Sequence, residues 1–547
     1  MASSTNSTKS TSSNGEVTDS IDVVIVGAGF AGMYMLHKMR GLGITARVYD
    51  AAKGVGGTWY WNRYPGARCD VMSHDYSFSF DQELEQEWTW SEKYATQPEI
   101  LKYANHVADR YELWPDMQFE SRIEGAAFDE DAKRWIVRTS KGDVVSAQHV
   151  VMATGTLSAA KQPDLPGHET FKGETYMTSS WPHEGVDFTG KRVGIIGTGS
   201  SAIQSIPLIA NEAASLTVFQ RTPNFSLPAG NKPTDTEFIT ELKSDYRPYR
   251  QAAKESFFGV PMEVTEVSAL DVDKAERDAV YQEGWDSGSL VGVLGAYADL
   301  LVNKEANDTA AEFVRDKVRA IVKDPAMAEL LVPGDFPFGT KRPCLDTGYY
   351  ETFNKDHVRL IDLNKTGLVS MDETGVSTTD EHFEFDALVY ATGFDAMTGA
   401  VTRVDVKGVG GKELAAEWKN GPANYLGVGV SGFPNFYVIT GPGSPSVLSN
   451  MMVSIEQHVE WVADLIGHMR DNDKATIDPS PEAQDEWVKH VAETGDGTLY
   501  PMADSWYMGA NVPGKTRVFL PYVGGCGPYR ERCDEIAAKG YEGFVLA

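Results

Sequence analysis

The chain has 547 residues, of which 42% are hydrophobic and 23% charged, an ordinary composition for a globular protein. This length is too great for one hydrophobic core, so several domains are expected. The formal net charge of -29 at pH 7 and the pI near 4.8 argue against nucleic-acid or anionic-membrane partners, which would repel the surface, and leave room only for a local basic pocket that binds a phosphate.

The N-terminus and the cysteines carry no targeting or redox signal. Residues 1–20 are rich in Ser, Thr and Asn where a signal peptide needs an apolar stretch, and they are predicted to be a disordered tail. No apolar run is long enough for a membrane span. Cys69, Cys344, Cys526 and Cys533 have neither metal-site spacing nor the close pair of a disulfide reductase. They are predicted to be reduced thiols of a cytoplasmic protein that binds no metal.

Residues 21–50 have the order of a nucleotide-binding unit. An apolar run predicts a strand buried on both faces, and Gly27, Gly29 and Gly32 form G-x-G-x-x-G at the turn that follows. The second glycine lets the backbone approach a pyrophosphate, and the helix that begins there points its N–H groups at it. Asp50 closes the next strand, where a carboxylate accepts from ribose hydroxyls. The glycines alone would also suit a structural turn, but this order of elements favours binding.

Residues 54–70 follow as a loop rich in glycine and aromatic residues, too irregular for a helix or a strand. Such a loop usually covers a ligand, although Trp59 and Trp61 would equally anchor a packed surface loop. Residues 134–155 then predict two alternating strands around a Lys-Gly turn and an apolar strand that ends in Ala-Thr-Gly at 153–155. This last strand is expected to return the chain to the first sheet.

Residues 191–226 predict a second unit of the same kind. Gly197, Gly199 and Ala202 form G-x-G-x-x-A between a strand and a helix, and the position 23 residues after the first glycine, acidic in the first unit, is here followed by Arg221. An acid there would repel a 2′-phosphate, whereas arginine can pair with one. The second unit is therefore predicted to bind NADP(H) rather than NAD(H), the alternative being that Arg221 is a solvated surface charge.

The rest of the chain predicts an insertion and a return to the first domain. Residues 227–339 break the strand–helix alternation and are mostly helical, and strands resume near 357–363 and 385–393, the latter ending in a second Ala-Thr-Gly. Residues 429–469 predict a strand, a Gly/Pro loop and an amphipathic helix whose start is placed to face a cofactor. Residues 504–525 mix aromatics with Gly and Pro, a composition that suits a mobile flap or a structural hairpin.

Motifs along nearly the whole chain after residue 20 point to one family. They are Gly56-Gly57-Thr58-Trp59 with Tyr64-Pro65-Gly66 and Asp70, Phe171-x-Gly173 with Trp181-Pro182, GTKR at 339–342, GPGSPS at 441–446, GANVPGK at 509–515 and the closing GYEGFVLA. In these motifs and in their order the chain resembles the type I Baeyer–Villiger monooxygenases, and among them the branch that acts on phenylacetone and steroids.

The resemblance implies an α/β fold of the flavoprotein monooxygenase type, with two Rossmann-like dinucleotide-binding domains for FAD and NADP(H). The FAD-binding domain is expected to comprise residues 21–156 and 395–547. The NADP-binding domain is expected to comprise residues 157–226 and 341–394, with residues 227–340 as its helical insertion.

The resemblance also implies the reaction. NADPH reduces FAD, O2 adds to the reduced flavin, and the resulting C4a-peroxide attacks a ketone carbonyl to give an ester or lactone. Because the peroxide must stay anionic to be nucleophilic, a fixed cation beside it would favour the reactive form. Arg342 matches the family's catalytic arginine by its place in GTKR, and arginine stays charged throughout. Asp70 matches the acid that pairs with it and tunes it.

Further residues are assigned to the cofactors by the same resemblance. Those for FAD are Gly27, Gly29, Phe30, Gly32, Asp50, Gly57, Thr58, Trp59, Asp70, Tyr76, Ile123 and Met451. Those for NADP(H) are Arg68, Gly197, Thr198, Gly199, Ser200, Ser201, Ala202, Arg221, Thr222, Lys341, Arg342 and Trp506. Arg221 and Lys341 are expected to clamp the 2′-phosphate with Thr222, and Trp506 to cover the nicotinamide ribose. The alternative is that Trp506 and Met451 are ordinary core residues, which the sequence would not distinguish from cofactor-binding ones.

The second fingerprint, made of Phe171, Gly173, Met177, Trp181 and Pro182, departs from the family at one position. The family has a histidine where this chain has Met177. Methionine neither titrates nor donates a hydrogen bond, so any role that needs either must be absent or moved. The simplest interpretation is that Met177 fills a gap in a packed linker.

Two other functions stay open at the level of sequence. A flavin monooxygenase for amine or sulfide heteroatoms would use a protonated peroxide, but the Trp-Pro fingerprint and GTKR favour ketones, with sulfide oxidation as a side activity. A module that binds FAD and NADP(H) without turnover fits the glycine motifs but leaves the arginine unexplained. Similarity of residues 441–452 to the phenylacetone and steroid branch suggests aryl or bulky ketones. The expected partners are a ketone and O2, and the expected state is a monomer.

Overall fold

The computed structural model describes residues 16–161, 164–262, 265–334 and 336–547. Residues 1–15 of the predicted tail lie outside the described residues. The predicted tail is too long at its other end, because Asp19 and Ser20 belong to the first strand, where they pair with Val145 and Ser146.

The strands of the described residues are numbered in chain order. They are β1 (Asp19–Val26), β2 (Ala46–Tyr49), β3 (Met117–Gln118), β4 (Ile123–Asp129), β5 (Arg134–Thr139), β6 (Val144–Met152), β7 (Glu174–Met177), β8 (Arg192–Ile196), β9 (Ser215–Gln220), β10 (Ser226–Pro228), β11 (Cys344–Asp346), β12 (Val358–Asp362), β13 (Leu368–Met371), β14 (Gly375–Thr378), β15 (His382–Glu384), β16 (Ala387–Tyr390), β17 (Asp405–Lys407), β18 (Phe436–Val438), β19 (Ile477–Pro479) and β20 (Phe544–Leu546).

The α-helices of the described residues are numbered in the same way. They are α1 (Phe30–Gly41), α2 (Thr58–Trp61), α3 (Gln82–Glu87), α4 (Gln97–Arg110), α5 (Ser200–Glu212), α6 (Thr236–Ser244), α7 (Arg247–Glu255), α8 (Lys274–Asp286), α9 (Lys304–Ile321), α10 (Pro325–Leu331), α11 (Tyr349–Thr352), α12 (Gly399–Thr402), α13 (Leu414–Glu417), α14 (Met451–Asp471), α15 (Pro481–Asp496) and α16 (Cys526–Ala538). None of these helices is both long and apolar enough to cross a bilayer.

The first sheet has the strand order β17-β4-β5-β6-β1-β2-β3, and β18 pairs with β6 as well. Val23, Val24 and Ile25 of β1 are fully buried, as expected of a parallel strand covered on both faces. The predicted unit β1-α1-β2 is confirmed. The prediction of two separate strands after the Lys-Gly turn is wrong. The structure has one continuous strand there, β6, which pairs with β5 over its first half and with β1 along nearly its whole length.

The second sheet has the order β12-β9-β8-β16-β7, and every neighbouring pair is parallel. Its β8-α5-β9 segment is the second predicted nucleotide unit. The fold is therefore α/β with two dinucleotide-binding domains, as predicted. Since β17 and β18 lie in the first sheet and β12 and β16 in the second, we interpret the chain as crossing from the first domain to the second and back.

The helical insertion is confirmed as a set of helices, α6 to α10, between β10 and β11. These two strands pair in parallel and close the insertion at its base. A small antiparallel sheet of β13, β14 and β15 was not predicted. Its strands are only three or four residues long, so they give little alternating signal.

Two segments connect the sheets and run side by side; we call residues 153–161 and 391–397 together the crossover. The Lys161 N–H donates to the Gly393 carbonyl at 3.1 Å, and the Asp395 N–H donates to the Ala159 carbonyl at 2.8 Å. Both segments begin at an Ala-Thr-Gly at the end of a buried strand, β6 or β16. The repeated motif therefore marks the two places where the chain changes domain.

Residues 504–525, all of which are described, contain no strand, so the hairpin alternative is wrong. They form a short 3-10 turn at Trp506–Met508 followed by irregular chain that leads to α16. The Leu520 N–H donates to the Tyr507 carbonyl at 2.8 Å and the Ala510 N–H to the Ser505 carbonyl at 3.1 Å. These bonds bring the ends of the segment together, so residues 505–520 form one loop, here called the C-terminal loop.

Candidate active site

An ion pair between Arg342 and Asp70 joins two segments that are 272 positions apart in sequence. The guanidinium Nε donates to Asp70 Oδ2 at 2.7 Å and Nη2 donates to Oδ1 at 2.9 Å. Nη1 donates to the Val447 carbonyl at 2.9 Å. The bidentate geometry and the third bond hold the guanidinium in one orientation. About a quarter of each side chain stays exposed, 26% for Arg342 and 22% for Asp70.

Burial and charge act in opposite directions on the pKa values of this pair. Burial alone raises the pKa of the Asp70 carboxyl, but the Arg342 guanidinium outweighs it, and the pKa lies below its ordinary value. Burial alone lowers the pKa of Arg342, and Asp70 outweighs it in turn. Burial raises the pKa of the neighbouring Tyr507 to about 12, against the opposing effect of Arg342. Near neutral pH the site thus holds a carboxylate, a guanidinium and a neutral phenol.

The first glycine turn is shaped by the space around it. Gly27 has φ +110°, and a Cβ there would lie 2.5 Å from the Ala153 carbonyl oxygen; a Cβ on Gly32 would lie 1.8 Å from the Gly27 carbonyl oxygen. Only glycine fits these two positions. Gly29 is different, because the nearest atom to its Cβ position is the Cα of Gly57 at 3.6 Å. The bare backbone of Gly29 therefore leaves an approach for a pyrophosphate at the start of α1.

Asp50 holds the same turn from the end of β2. Its Oδ2 accepts from the Ala28 N–H at 2.6 Å and its Oδ1 from the Ala52 N–H at 2.7 Å. Each carboxylate oxygen keeps a second lone pair for the ribose contact predicted from sequence. Two other residues assigned to FAD are Ile123, which begins β4 and is buried, and Met451, which begins α14 and is partly exposed.

The loop of the first fingerprint contains α2, which begins at Thr58. Trp59 is buried, and its Nε1 donates to the Tyr76 hydroxyl at 3.1 Å, while its carbonyl accepts from the Gln97 amide. Tyr76 in turn packs edge-on against Phe30 of α1, with ring centroids 6.0 Å apart. Trp59 thus anchors the loop, as the packed-loop alternative held, and Thr58 is left exposed beside the glycine turn.

The second unit repeats the geometry of the first. Gly197 has φ +114°, and a Cβ there would lie 2.5 Å from the Ala391 carbonyl oxygen, the same distance as in the first unit. Thr198 donates from Oγ1 to the Thr222 carbonyl at 3.0 Å, and Ala202 is fully buried. Each Ala-Thr-Gly therefore lies against the first glycine of its own unit.

The start of α5 is open toward solvent. Gly199 is its N-cap residue and has no side-chain cap, and both Gly199 and Ser200 are exposed. Ser201 turns inward, with its Oγ 3.1 Å from Thr178 Oγ1. Uncapped N–H groups at a helix start favour an anion. Arg221, exposed just after β9, adds a cation on the same strand end of the sheet.

The other residues assigned to NADP(H) have protein neighbours of their own. The Lys341 Nζ lies 4.4 Å from the centroid of the Phe336 ring. Arg68 Nη1 donates to Glu92 Oε2 at 3.2 Å. Trp506 packs on the adjacent tyrosine ring with centroids 4.2 Å apart and is only partly buried. The contact of Arg68 with Glu92 means that a phosphate would have to compete for this guanidinium.

The second fingerprint forms a packed linker at the edge of the second sheet. A Cβ on Gly173 would lie 2.4 Å from the Phe171 ring. Met177 ends β7 and packs against an apolar cluster of the second domain, which suits the gap-filling interpretation. Trp181 is buried, and its backbone N–H donates to the backbone carbonyl of Trp61 in the first fingerprint at 3.3 Å. Pro182 follows at the partly exposed end.

Sequence reasoning missed residues that join the two domains at the site. The Tyr64 hydroxyl donates to Gln204 Oε1 of α5 at 2.9 Å, and a Cβ on Gly66 would lie 2.5 Å from the Gln204 carbonyl oxygen. The place of Tyr64 and Gly66 in the first fingerprint is a signal that was available. No local pattern marks Val447 or Tyr507, because their closeness to Arg342 arises only from tertiary packing.

Comparisons with known proteins show the family to which the chain belongs. A family model described as pyridine nucleotide-disulphide oxidoreductase matches residues 24–272. A Baeyer-Villiger monooxygenase of Pseudooceanicola batsensis is 40% identical over 527 residues, which cover 96% of this chain and 96% of that one. The chain belongs to the Baeyer–Villiger monooxygenases.

This monooxygenase is also similar to two proteins whose names give different substrates. A solved structure of oxidized steroid monooxygenase bound to NADP superposes with a TM-score of 0.92 and 52% identity, covering 96% of this chain and 99% of that one. A phenazine N-monooxygenase of Lysobacter antibioticus is 40% identical over 529 residues, covering 96% of this chain and 97% of that protein.

This Baeyer–Villiger monooxygenase uses FAD, NADPH and O2 to insert one oxygen atom beside a ketone carbonyl. Its residues fit both cofactors. The bare Gly29 backbone at the start of α1 suits the pyrophosphate of FAD, and the uncapped start of α5 with Arg221 suits the phosphates of NADP(H).

Proposed function

We propose that Arg342 and Asp70 carry the oxygen-insertion step and that the substrate is an aryl or bulky ketone. The observation that carries the first part is the bidentate ion pair, whose guanidinium is held at three atoms and still partly exposed. A charged group that is fixed before reaction stabilises developing negative charge without reorganising.

Each residue has one task in this proposal. When bound, reduced FAD would supply the electrons that activate O2, and O2 would supply the inserted oxygen atom. Arg342 provides a permanent positive charge that favours the deprotonated, nucleophilic form of the oxygen donor and holds negative charge on the substrate oxygen. Asp70 and the Val447 carbonyl fix where that charge points. The buried phenol of Tyr507 closes the other side of the guanidinium to water.

On the coenzyme side we propose that Arg221 and Lys341 bind the 2′-phosphate of NADP(H), with Thr222 contributing a hydroxyl. The exposed position of Arg221 beside the uncapped start of α5 supports this. The domain boundaries given above are proposed on the same basis, since each of the two sheets carries one glycine turn. We also propose a monomeric, cytoplasmic enzyme, for which the net charge of -29 gives general support.

The substrate proposal rests on the loop that follows β18. Its residue Val447 contacts Arg342 through the backbone, so the loop lies beside the reacting centre. It matches the phenylacetone and steroid branch in sequence, and the steroid monooxygenase structure is 52% identical to this chain. Oxidation of a ring nitrogen is the second candidate, because of the phenazine N-monooxygenase relative. The fixed guanidinium favours a nucleophilic, anionic oxygen donor and therefore the ketone.

The test is the variant Arg342→Ala with a ketone panel that runs from small cyclic to aryl and steroid ketones. We expect it to keep FAD and to be reduced by NADPH, while ester formation falls by at least about 100-fold, the usual effect of losing a fixed charge-stabilising donor. Arg359→Ala is the control, because Arg359 binds Glu381 at the surface. Ester yield in Arg342→Ala equal to that of the control would remove Arg342 from the mechanism. Preferred turnover of N-heterocycles over every ketone would favour the second candidate.

A further inference from the structure

The loop between β18 and α14, residues 439–450, contains the carbonyl that orients Arg342 and has an uncommon backbone conformation. Two of its non-glycine residues have positive φ, Thr440 at 52° and Ser446 at 28°. Such conformations cost free energy and persist only where surrounding contacts hold them. Contacts from outside the loop must therefore keep the Val447 carbonyl beside the guanidinium.

Thr440 is bonded at both of its backbone polar groups. Its N–H donates to Nδ1 of His458 at 3.1 Å, and its carbonyl accepts from the Ser446 hydroxyl at 3.1 Å. The next residue is Val447, whose carbonyl accepts from Arg342 at 2.9 Å. A chain of hydrogen bonds thus leads from the His458 ring through the loop to the guanidinium.

The second ring nitrogen of His458 fixes the direction of this chain. Nε2 lies 2.8 Å from the hydroxyl of Tyr529, which donates its own proton to the Leu426 carbonyl. Nε2 must therefore carry the ring proton and donate it to that hydroxyl, so Nδ1 keeps the lone pair that accepts the Thr440 N–H. Because both nitrogens are used, the imidazole is held in one tautomer and one orientation.

His458 is buried and neutral. Only 1% of it is exposed, and burial lowers its pKa to about 3. His149 is a close match, because it is 3% exposed and burial likewise lowers its pKa to about 3. Its Nδ1, however, lies 3.3 Å from the Tyr437 hydroxyl within the first sheet. The feature that sets His458 apart is therefore its bond to Thr440 and not its burial.

Helix α14 also supports the segment that follows Asp70. Glu456 Oε1 accepts from the Ser79 N–H at 2.6 Å, and the Asn450 amide donates to the Asp75 carbonyl at 2.8 Å. One helix therefore holds both of the segments that bind the catalytic guanidinium.

Two other side chains hold the middle of the loop between β18 and α14. The Asn424 amide donates to the Pro442 carbonyl at 2.7 Å, and Trp487 Nε1 donates to the Gly443 carbonyl at 3.1 Å. Loss of the bond to Thr440 should therefore displace one part of the loop without unfolding it.

We propose that His458 is a positioning residue, which acts through Thr440 and the loop to hold the Arg342 guanidinium in its reactive orientation. It does so as a neutral hydrogen-bond acceptor and takes no part in proton transfer. A small displacement of a fixed charge has a large effect on the rate of the step that it stabilises. The inference rests on the proposed role of Arg342 and extends it to a buried residue of α14.

The experiment replaces each nitrogen of His458 separately in the FAD-loaded enzyme. In His458→Asn the amide oxygen takes the place of Nδ1 and accepts from Thr440, whereas in His458→Gln the amide takes the place of Nε2. His149→Gln makes the same change at the matched buried histidine. We expect ester formation to fall about tenfold in His458→Gln, to stay within about threefold of wild type in His458→Asn and to be unchanged in His149→Gln.

Hydrogen–deuterium exchange of residues 439–450 reports on the loop directly and does not depend on activity. Exchange should become about tenfold faster in His458→Gln, the effect of losing one buried hydrogen bond. His149→Gln should exchange like wild type in this segment, and His458→Asn should keep most of the protection.

A double-mutant cycle with Arg342→Ala separates positioning from a general loss of structure. If His458 acts through the guanidinium, His458→Gln should lower ester formation about tenfold in wild type but less than about twofold when residue 342 is already alanine. Anaerobic reduction of FAD by NADPH should stay within about twofold of wild type in His458→Gln, because the loop is displaced and not unfolded.

If His458→Gln does not retain FAD, Tyr529→Phe decides. Without the Tyr529 hydroxyl the imidazole is free to move its proton to Nδ1 and lose the bond to Thr440, so ester formation should fall at least about threefold. Unchanged exchange and ester yield in the deciding variant, or an equal loss of ester with and without Arg342, would overturn the proposal. Wild-type ester yield in Arg342→Ala would instead overturn the role of Arg342 itself.

Discussion

At the scale of single residues, the pair Arg342–Asp70 shows how an ion pair keeps its charges where they are needed. Burial disfavours both charged forms, but each partner restores the charge of the other. For Asp70 the folded pKa lies below the unfolded value. Its contribution to stability is therefore present above the ordinary range of aspartate and is lost only as pH falls through the lowered folded pKa. Both partners therefore stay charged near neutral pH.

Asp478 is the opposite case and gives a prediction about pH. It lies in β19 and accepts from the Gly432 N–H at 3.0 and 3.1 Å, yet burial raises its pKa to about 6. Between its unfolded and folded pKa values the folded state holds the proton more tightly, so the free energy of unfolding falls as pH rises through that window. Asp478→Asn should therefore raise stability by about 1–2 kcal/mol near pH 8 and have little effect near pH 4.

Thermal unfolding of Asp478→Asn at these two pH values measures the difference. The exposed Asp485 provides the control, and Asp485→Asn should show no pH-dependent gain. A melting-temperature gain in Asp478→Asn that is as large near pH 4 as near pH 8 would show that its carboxylate is not the destabilising form.

At the scale of elements, the glycines at the two ends of α1 serve different purposes. Gly29 precedes the helix with φ -79°, which any residue adopts, and no protein atom lies within 3.4 Å of its Cβ position. Gly41 ends the helix with nothing within 4 Å. We predict that Gly29→Ala folds normally but binds FAD at least about tenfold more weakly, because its methyl group occupies the approach of the pyrophosphate.

Gly41→Ala is the matched control on the same helix. It should bind FAD like wild type and be more stable by about 0.5 kcal/mol, since alanine has less backbone freedom to lose in a helix. Titration of the apoproteins with FAD and thermal unfolding measure both effects. Equal FAD affinity in the two variants would mean that the cofactor does not approach the backbone at Gly29.

The element β7 offers a second test, at the family's missing histidine. Met177 packs among apolar side chains and cannot donate or titrate. Met177→His should change the ratio of ester to NADPH consumed by about twofold or less and leave turnover within the same order of magnitude, because the position shapes the linker and not the chemistry. The control is Met502→His at a residue that is 50% exposed. A change in turnover of about 100-fold or more would assign a direct role to the histidine of other family members.

At the scale of the whole molecule, the crossover connects two domains that have similar nucleotide-binding units. Each glycine turn meets its own Ala-Thr-Gly, Gly27 with Ala153 and Gly197 with Ala391, and each Ala-Thr-Gly begins one connecting segment. A shift of one domain against the other must therefore pass through segments that also touch the phosphate-binding turns. The C-terminal loop contacts the same segments.

Local patterns in the sequence determined the two nucleotide units, the helical insertion and the preference for NADP(H). Those features depend on residues close together in the chain: apolar runs, glycines at fixed spacing and one arginine after the second unit. The pairing of Arg342 with Asp70 was within reach only through the family resemblance, since two charges so distant in sequence carry no spacing signal.

Tertiary structure alone decided the continuity of β6, the additional sheet β13–β15 and the contacts of Lys161 and Asp395 with the C-terminal loop. Each of these depends on a partner that lies far away in the chain, and the energy that selects it comes from pairing and desolvation in the folded state. A sequence reports such partners only where a local pattern requires them. Here the glycines do so for the two nucleotide units, whereas the sequence of the C-terminal loop does not report which crossover residues it contacts.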